Sequence, residues 1–301
     1  MVRYNFLAAV ALLATLASAA TVPATSPKKE LWTPLKRLAK AKSDSTHGGI
    51  TPQIVNGQVV AAGEAPFTVR VSTWFSLCTG VLIRPNVVLT AGHCVETIFG
   101  GIGPGWYFTV YAGSTSASGG TKYSVSKVTR HPDYNTDDLK GDIALLTLSS
   151  SVPNSSNASP IKIYTGQNAE SDVVTAVGFG VDQNGNTPSQ LMKADLKVGP
   201  TAECITGNTN YTTPNDIWVC TKYTLTNTAV CNGDSGGPLV RPVSSGGSGP
   251  HGWALVGTTS FGNVEKCNDP TSLDFFVHSN YYINWIATNA GASVGDITIG
   301  A

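Results

Sequence analysis

No Cys-x-x-Cys pair occurs in the 301-residue sequence, so the spacing that announces a structural zinc site is missing. Beyond the first 20 residues no apolar run approaches the ~20 residues that cross a bilayer, which excludes a spanning helix from the body of the chain. No long helical periodicity appears either, and Thr, Ser, Val and Gly are frequent, a balance that favours an all-β fold. Nothing suggests a nucleotide or redox cofactor. Net charge is also absent: Lys+Arg and Asp+Glu number 19 each. That zero hides an asymmetry. Residues 1–53 hold seven basic side chains (Arg3, Lys28, Lys29, Lys36, Arg37, Lys40 and Lys42) against Glu30 and Asp44, or +5, and the remainder is −5. A mildly acidic body argues against nucleic acid or an anionic membrane as the main partner, and the basic segment reads as a solvated tail.

What is present begins with a targeting segment. Arg3, the apolar run Phe6 to Leu16 and the small-x-small site Ala17-Ser18-Ala19 form a secretory signal over residues 1–19. Residues 20–53 hold little that could form a core, and the texture changes at Ile54-Val55-Asn56-Gly57. From there short β-rich runs recur between Gly, Pro, Asn and Asp, as in Gly80 to Ile83, Val87 to Thr90, Trp106 to Tyr111 and Trp253 to Thr258, which suggests barrels or a sandwich. Val152 to Pro160 is the best linker between two halves. One helix reads clearly, over about 279–289. Ser279 can cap it, and Tyr282, Trp285 and Ile286 share one face that should pack against the second half. Cys78, Cys94, Cys204, Cys220, Cys231 and Cys267 are an even set behind a signal peptide and imply three disulfides, although spacing does not choose the pairing.

Three stretches carry the chemistry: Thr90-Ala91-Gly92-His93-Cys94, Asp142-Ile143-Ala144-Leu145-Leu146, and Gly233-Asp234-Ser235-Gly236-Gly237-Pro238. A serine hydroxyl is a weak nucleophile near neutral pH. It needs a base within hydrogen-bond reach, and the base needs a third group to fix its tautomer. His93, Asp142 and Ser235 supply base, orienting carboxylate and nucleophile if the fold brings them together. His131 reads as structural, and His47, His251 and His278 as surface or packing residues.

With Ile54-Val55-Asn56-Gly57 and Ser260-Phe261-Gly262 added, these boxes resemble the trypsin/chymotrypsin-type serine endopeptidases over essentially all of residues 54–289. The resemblance implies two antiparallel Greek-key β-barrels, about 54–160 and 161–278, with the active site between them and a C-terminal helix. It implies Ser235 as nucleophile, His93 as general base and acid, Asp142 as the ionised orienting group, and the N–H groups of Gly233 and Ser235 as the oxyanion hole. It also implies the pairings Cys78–Cys94, Cys204–Cys220 and Cys231–Cys267. The first two loops enclose 15 residues each, a stabilisation of about 3 kcal/mol apiece on the chain-entropy view.

By the same resemblance the chain is a zymogen with a propeptide over 20–53, and cleavage before Ile54 frees an amino group that pairs with Asp234. Gln53 departs from the Arg or Lys usual at that bond, so an activating protease of trypsin-like preference is not expected. Ala229, six residues before the serine, lacks the aspartate of strict trypsins. With Ser260 and the open wall at Gly262 it points to large apolar residues at the cleavage site. Asp274 is ambiguous. Counting back from Trp285 puts it on the pocket wall, as in the collagenolytic, brachyurin-like branch; counting forward from Cys267 puts Leu273 there and leaves Asp274 on a surface loop.

The implied partners are protein or peptide substrates, an activating protease and protease inhibitors, acting on a monomer. Gly113 to Lys122 lacks the acidic pair that binds calcium in some relatives, so no metal is expected. Asn154, Asn157 and Asn210 begin glycosylation sequons. The competing class is an inactive protease-fold binding or inhibitor protein. Such proteins usually lose His, Asp or Ser, and all three are kept here.

Overall fold

Period-two burial builds the strands. In Thr121–Arg130, Tyr123 and Val125 are buried while Ser124 and Ser126 face outward. Strand Trp253–Gly262 is instead buried almost throughout, as a strand covered on both faces must be. The computed structural model describes residues 54–182 and 184–300. The expected signal (1–19) and propeptide (20–53), with Gln53 and His47, lie outside the described residues.

In chain order the strands are β1 (Gln58–Val59), β2 (Thr68–Ser72), β3 (Leu77–Arg84), β4 (Val87–Thr90), β5 (Thr109–Ala112), β6 (Thr121–Arg130), β7 (Ala144–Leu148), β8 (Ile163–Tyr164), β9 (Val173–Gly178), β10 (Met192–Lys197), β11 (Trp218–Lys222), β12 (Pro238–Pro242), β13 (Trp253–Gly262), β14 (Leu273–His278) and β15 (Thr298–Ile299). Strands β2-β3-β4-β7-β6-β5 close into an antiparallel barrel around Val69, Leu82, Val88, Val110 and Leu146. The second sheet runs β1-β10-β9-β12-β13-β14-β11. Its ends meet where Val198 bridges Thr221 and the Gly199 N–H donates to the Cys220 carbonyl at 2.9 Å, which rolls it into the second barrel.

Two details depart from a pure antiparallel plan with sequential halves. Strand β8 joins β13, and β15 joins β8, in parallel. Strand β1 pairs with β10, so the residues just after Ile54 belong to the second sheet rather than the first barrel.

The helices are α1 (Thr201–Gly207), α2 (Ile283–Ala290) and α3 (Val294–Ile297). Helix α2 is the expected C-terminal helix, but Ser279 does not cap it. Ser279 is fully buried, and Tyr282 occupies the N-cap position. The Tyr282 ring also turns toward the first barrel. Its hydroxyl accepts from the Gly141 N–H at 3.1 Å, its ring meets His131 edge-on at 4.9 Å, and Trp285 lies 5.0 Å from the same imidazole. A buried phenol needs a polar partner, and the loop before β7 offers one, so the helix face braces the segment that carries Asp142. The Arg84 guanidinium of β3 adds a 3.0 Å bond to the Ala290 carbonyl at the other end of α2. His131 is thus a packing residue whose burial lowers its pKa.

Asn154, Asn157 and Asn210 are all exposed. The disulfides are Cys78–Cys94, Cys204–Cys220 and Cys231–Cys267.

Candidate active site

Register places the first two groups. Strands β4 and β7 pair with Thr90 opposite Ala144, so the chain leaving β4 and the chain entering β7 emerge at the same end. Three residues past Thr90 a 3-10 turn (His93–Val95) begins, and two residues before Ala144 stands Asp142. Its carboxylate is fully buried and receives four contacts. Oδ1 accepts from the His93 backbone N–H at 2.8 Å, and His93 Nδ1 lies 3.1 Å from Oδ1 and 2.9 Å from Oδ2. The Ser260 hydroxyl donates to Oδ2 at 2.5 Å. A carboxylate only accepts, so Nδ1 carries the proton and Nε2 keeps its lone pair. Nε2 is buried and has no hydrogen-bond partner among the described residues. The imidazole is therefore oriented, with Nε2 free to accept.

Ser235 sits in the turn between Cys231 and β12, at the surface of a cleft. Gly233 holds a φ of 97°, which side chains adopt only at a cost, and a Cβ there would come within 3.0 Å of Gly180 Cα. Among the described residues no group accepts from the N–H of Gly233 or of Ser235. Two free, closely spaced donors beside a serine are what an oxyanion requires.

Residues 54–286 match the family model described as Trypsin, a span that carries both barrels and all three groups. The chain belongs to the trypsin family. It is 30% identical to trypsin alpha of Drosophila melanogaster over 71% of this chain and 80% of that protein. It is 31% identical to trypsin alpha-4 of Lucilia cuprina over the same shares, 71% and 80%. With a trypsin of Simulium vittatum it shares 30% identity over 63% of this chain and 78% of that one. A trypsin-family member of this kind is a serine-type endopeptidase, and protein chains are its substrates.

The trypsin-family frame brings forward two residues with roles the sequence left unread. Thr79 of β3 reaches across the barrels: its N–H donates to the Ser235 carbonyl at 2.9 Å, and its hydroxyl donates to the Gly233 carbonyl at 2.9 Å and accepts from the Phe179 N–H at 3.1 Å. It fixes the turn that presents the serine. Ser260, expected only as a pocket residue, also holds Asp142. Neither contact leaves a local signal, because a lone Thr or Ser in a strand is unremarkable.

Two expectations follow. Thr79→Val strands the Phe179 N–H and the Gly233 carbonyl and should lower stability by about 1–3 kcal/mol in urea unfolding. Ser260→Ala should lower kcat by about 10- to 100-fold with KM unchanged, since a hydrogen bond to a charged carboxylate is worth about 1.5–3 kcal/mol. Ser260→Thr, which retains the hydroxyl, should recover most of the loss.

Asp234 is buried. Its Oδ1 accepts from Gly180 N–H at 2.8 Å and its Oδ2 from Cys231 N–H at 2.9 Å. Burial pushes its pKa up to about 7 despite those two donors. A Cβ at Gly180 would lie 2.3 Å from Oδ2, so only glycine leaves room for this carboxylate. Ile54 is fully buried beside Met192 and Ala194, and the Val55 N–H donates to the Ala229 carbonyl at 3.0 Å.

A cleft opens beside Ser235. Its walls include Val230, Phe261, Gly262, Val264 and the Cys231–Cys267 disulfide, and Asp274 lines it too. Gly262 faces Asp274 across the β13–β14 pairing, which places Asp274 and not Leu273 in the cleft. The surface-loop position is excluded, for Asp274 is 3% exposed. Ala229 is not among the lining residues; it is fully buried behind Val230 in sequence and bridges Val55 instead. His93 also lies near the sulfurs of Cys78 and Cys94, but those atoms form a disulfide and are not thiolate ligands.

His278 is buried and bonds the Asp216 carbonyl through Nδ1, and His251 pairs with Glu64 at 2.7 Å, both remote from this chemistry.

Proposed function

We propose that the chain is a secreted zymogen whose form beginning at Ile54 cleaves polypeptides through an acyl-enzyme on Ser235. The Ser235 Oγ attacks the scissile carbonyl carbon while its proton passes to His93 Nε2, and the oxygen that becomes negative takes the N–H groups of Gly233 and Ser235. The C–N bond then breaks and the leaving amine takes the proton from Nε2. Water repeats the sequence on the ester, giving Nε2 a proton that returns to Oγ. Asp142 stays ionised and stabilises the imidazolium. The observation that carries this reading is the buried His93 imidazole, held at Nδ1 by a fully buried Asp142 with Nε2 unpartnered.

The pocket favours large apolar side chains before the scissile bond, because Val230, Phe261 and Val264 supply apolar wall and Gly262 contributes no side chain. Three disulfides and no free cysteine among the described residues suit an oxidising, extracellular setting.

Activation is the cut before Ile54. In the uncut chain Ile54 holds a φ of 55°, a strained value for a β-branched residue costing about 1–3 kcal/mol. Cleavage abolishes that torsion and creates an ammonium for Asp234. Protein prepared to begin at Ile54 should hydrolyse peptides with large apolar residues before the cut, and uncut protein should not. Equal inactivity of both forms would support a binding role on this fold.

A further inference from the structure

We infer that Asp274 makes the substrate pocket a proton-operated selector: with its carboxyl neutral the pocket takes apolar side chains, and with it ionised the pocket takes Arg or Lys as well. This rests on the endopeptidase reading and deepens it.

The geometry is that of one carboxyl group in an otherwise uncharged cleft. Asp274 shares the cleft with Ser235 and is nearly inaccessible apart from it. Its Oδ2 accepts from the Val230 N–H at 3.2 Å, and a Cβ on Gly262 would sit 3.4 Å from its Oδ1, so a glycine there leaves that oxygen's side of the cleft without a side chain. Among the described residues the groups packed around it carry no cation. From its own strand end Ser272 offers a hydroxyl, from β11 Thr221 lies opposite, and β13 presents Ser260, Phe261 and Gly262. Lys222 of β11 is paired with Glu203. The charged group that bears on Asp274 is Asp234, of like sign.

An anion in such a place is poorly solvated. Burial foremost, with Asp234 adding to it, pushes Asp274 up to about 7, inside the range in which a secreted protein works. Once Ile54 is freed, its ammonium offsets Asp234, and burial remains the cause. The direction follows. Below the transition the carboxyl is neutral and an Arg side chain would enter without a counter-ion; above it the pair is complete. A guanidinium stays charged throughout, so the enzyme group alone titrates.

The test uses protein beginning at Ile54 and two peptides that differ only in Arg or Leu before the scissile bond. Their kcat/KM ratio cancels His93, Asp234 and every other group common to both reactions. From pH 5.5 to 8.5 the Arg/Leu ratio should rise by about tenfold per pH unit below the transition and level off above it. In Asp274→Asn the ratio should be low and flat. Hydrolysis of both peptides by the unmodified enzyme with a pH-independent ratio would overturn the selector, and so would an unchanged rise in Asp274→Asn. Hydrolysis of neither peptide would overturn the endopeptidase reading itself, and the selector with it.

Discussion

Ser235→Ala should lower kcat by about 10⁵–10⁶ while leaving KM and the unfolding midpoint almost unchanged. The hydroxyl is the group that bonds to substrate, and its loss removes the covalent route altogether. Packing hardly changes, since Oγ makes no hydrogen bond among the described residues and the turn is held by the Ser235 carbonyl, the Gly236 N–H and Thr79. His93→Ala should cost a similar factor, because a serine without its base is a neutral alcohol. The double variant should be scarcely worse than either single one, as nucleophile and base act as a unit. Turnover of one peptide by all three proteins, each begun at Ile54, checks this. Losses that multiply in the double variant would mean that the two side chains act separately.

Asp234→Asn should lower the activity of cleaved protein by about 10³ or more. The Ile54 ammonium would lack its counter-charge, and an unpaired buried charge costs several kcal/mol, so the terminus would stay out. The N–H groups of Gly233 and Ser235, one residue to either side, would then lose their fixed direction, and one oxyanion donor alone is worth about 10²–10³. The amide is also a poor fit for its cage. Gly180 and Cys231 both donate to Asp234, but an amide has one acceptor oxygen, so one donor would face an NH₂ group. In the uncut chain the same residue shapes stability against pH. Its folded pKa of about 7 lies above the ordinary 3.8, so its contribution is fully present below 3.8 and is lost as pH rises to about 7. Uncut wild-type protein should therefore lose stability across that window, and uncut Asp234→Asn should lose less. Full activity of cleaved Asp234→Asn would refute the pairing.

The serine, histidine and aspartate boxes were legible because each is a local arrangement whose chemistry restricts the residues at several adjacent positions. The strands were legible for the related reason that burial alternates, as at Tyr123 and Val125. Contacts made at long range were not. Thr79 and Gly233 are 154 residues apart, and Ser260 and Asp142 are 118 apart, and a hydroxyl in a strand announces neither partner. Helix α1 escaped because it is seven residues long and includes the β-branched Thr201, Ile205 and Thr206, which weaken helical propensity. The amphipathic face of α2 was visible, and the sequence set it against the second half, but the Tyr282 hydroxyl also reaches the first barrel by bonding Gly141. Asp274 was undecidable by counting from either side, because a one-residue difference moves a strand residue to the opposite face. Its pairing with Gly262 removed the ambiguity.

The most direct test is labelling with a serine-directed phosphonylating reagent, followed by mass spectrometry of the digested protein. Protein beginning at Ile54 should take up one adduct, on Ser235, and uncut protein, His93→Ala and cleaved Asp234→Asn should take up little. No adduct on the cleaved protein, or one on a serine other than Ser235, would contradict the assignment of Ser235, His93 and Asp142 as the site that cuts peptide bonds.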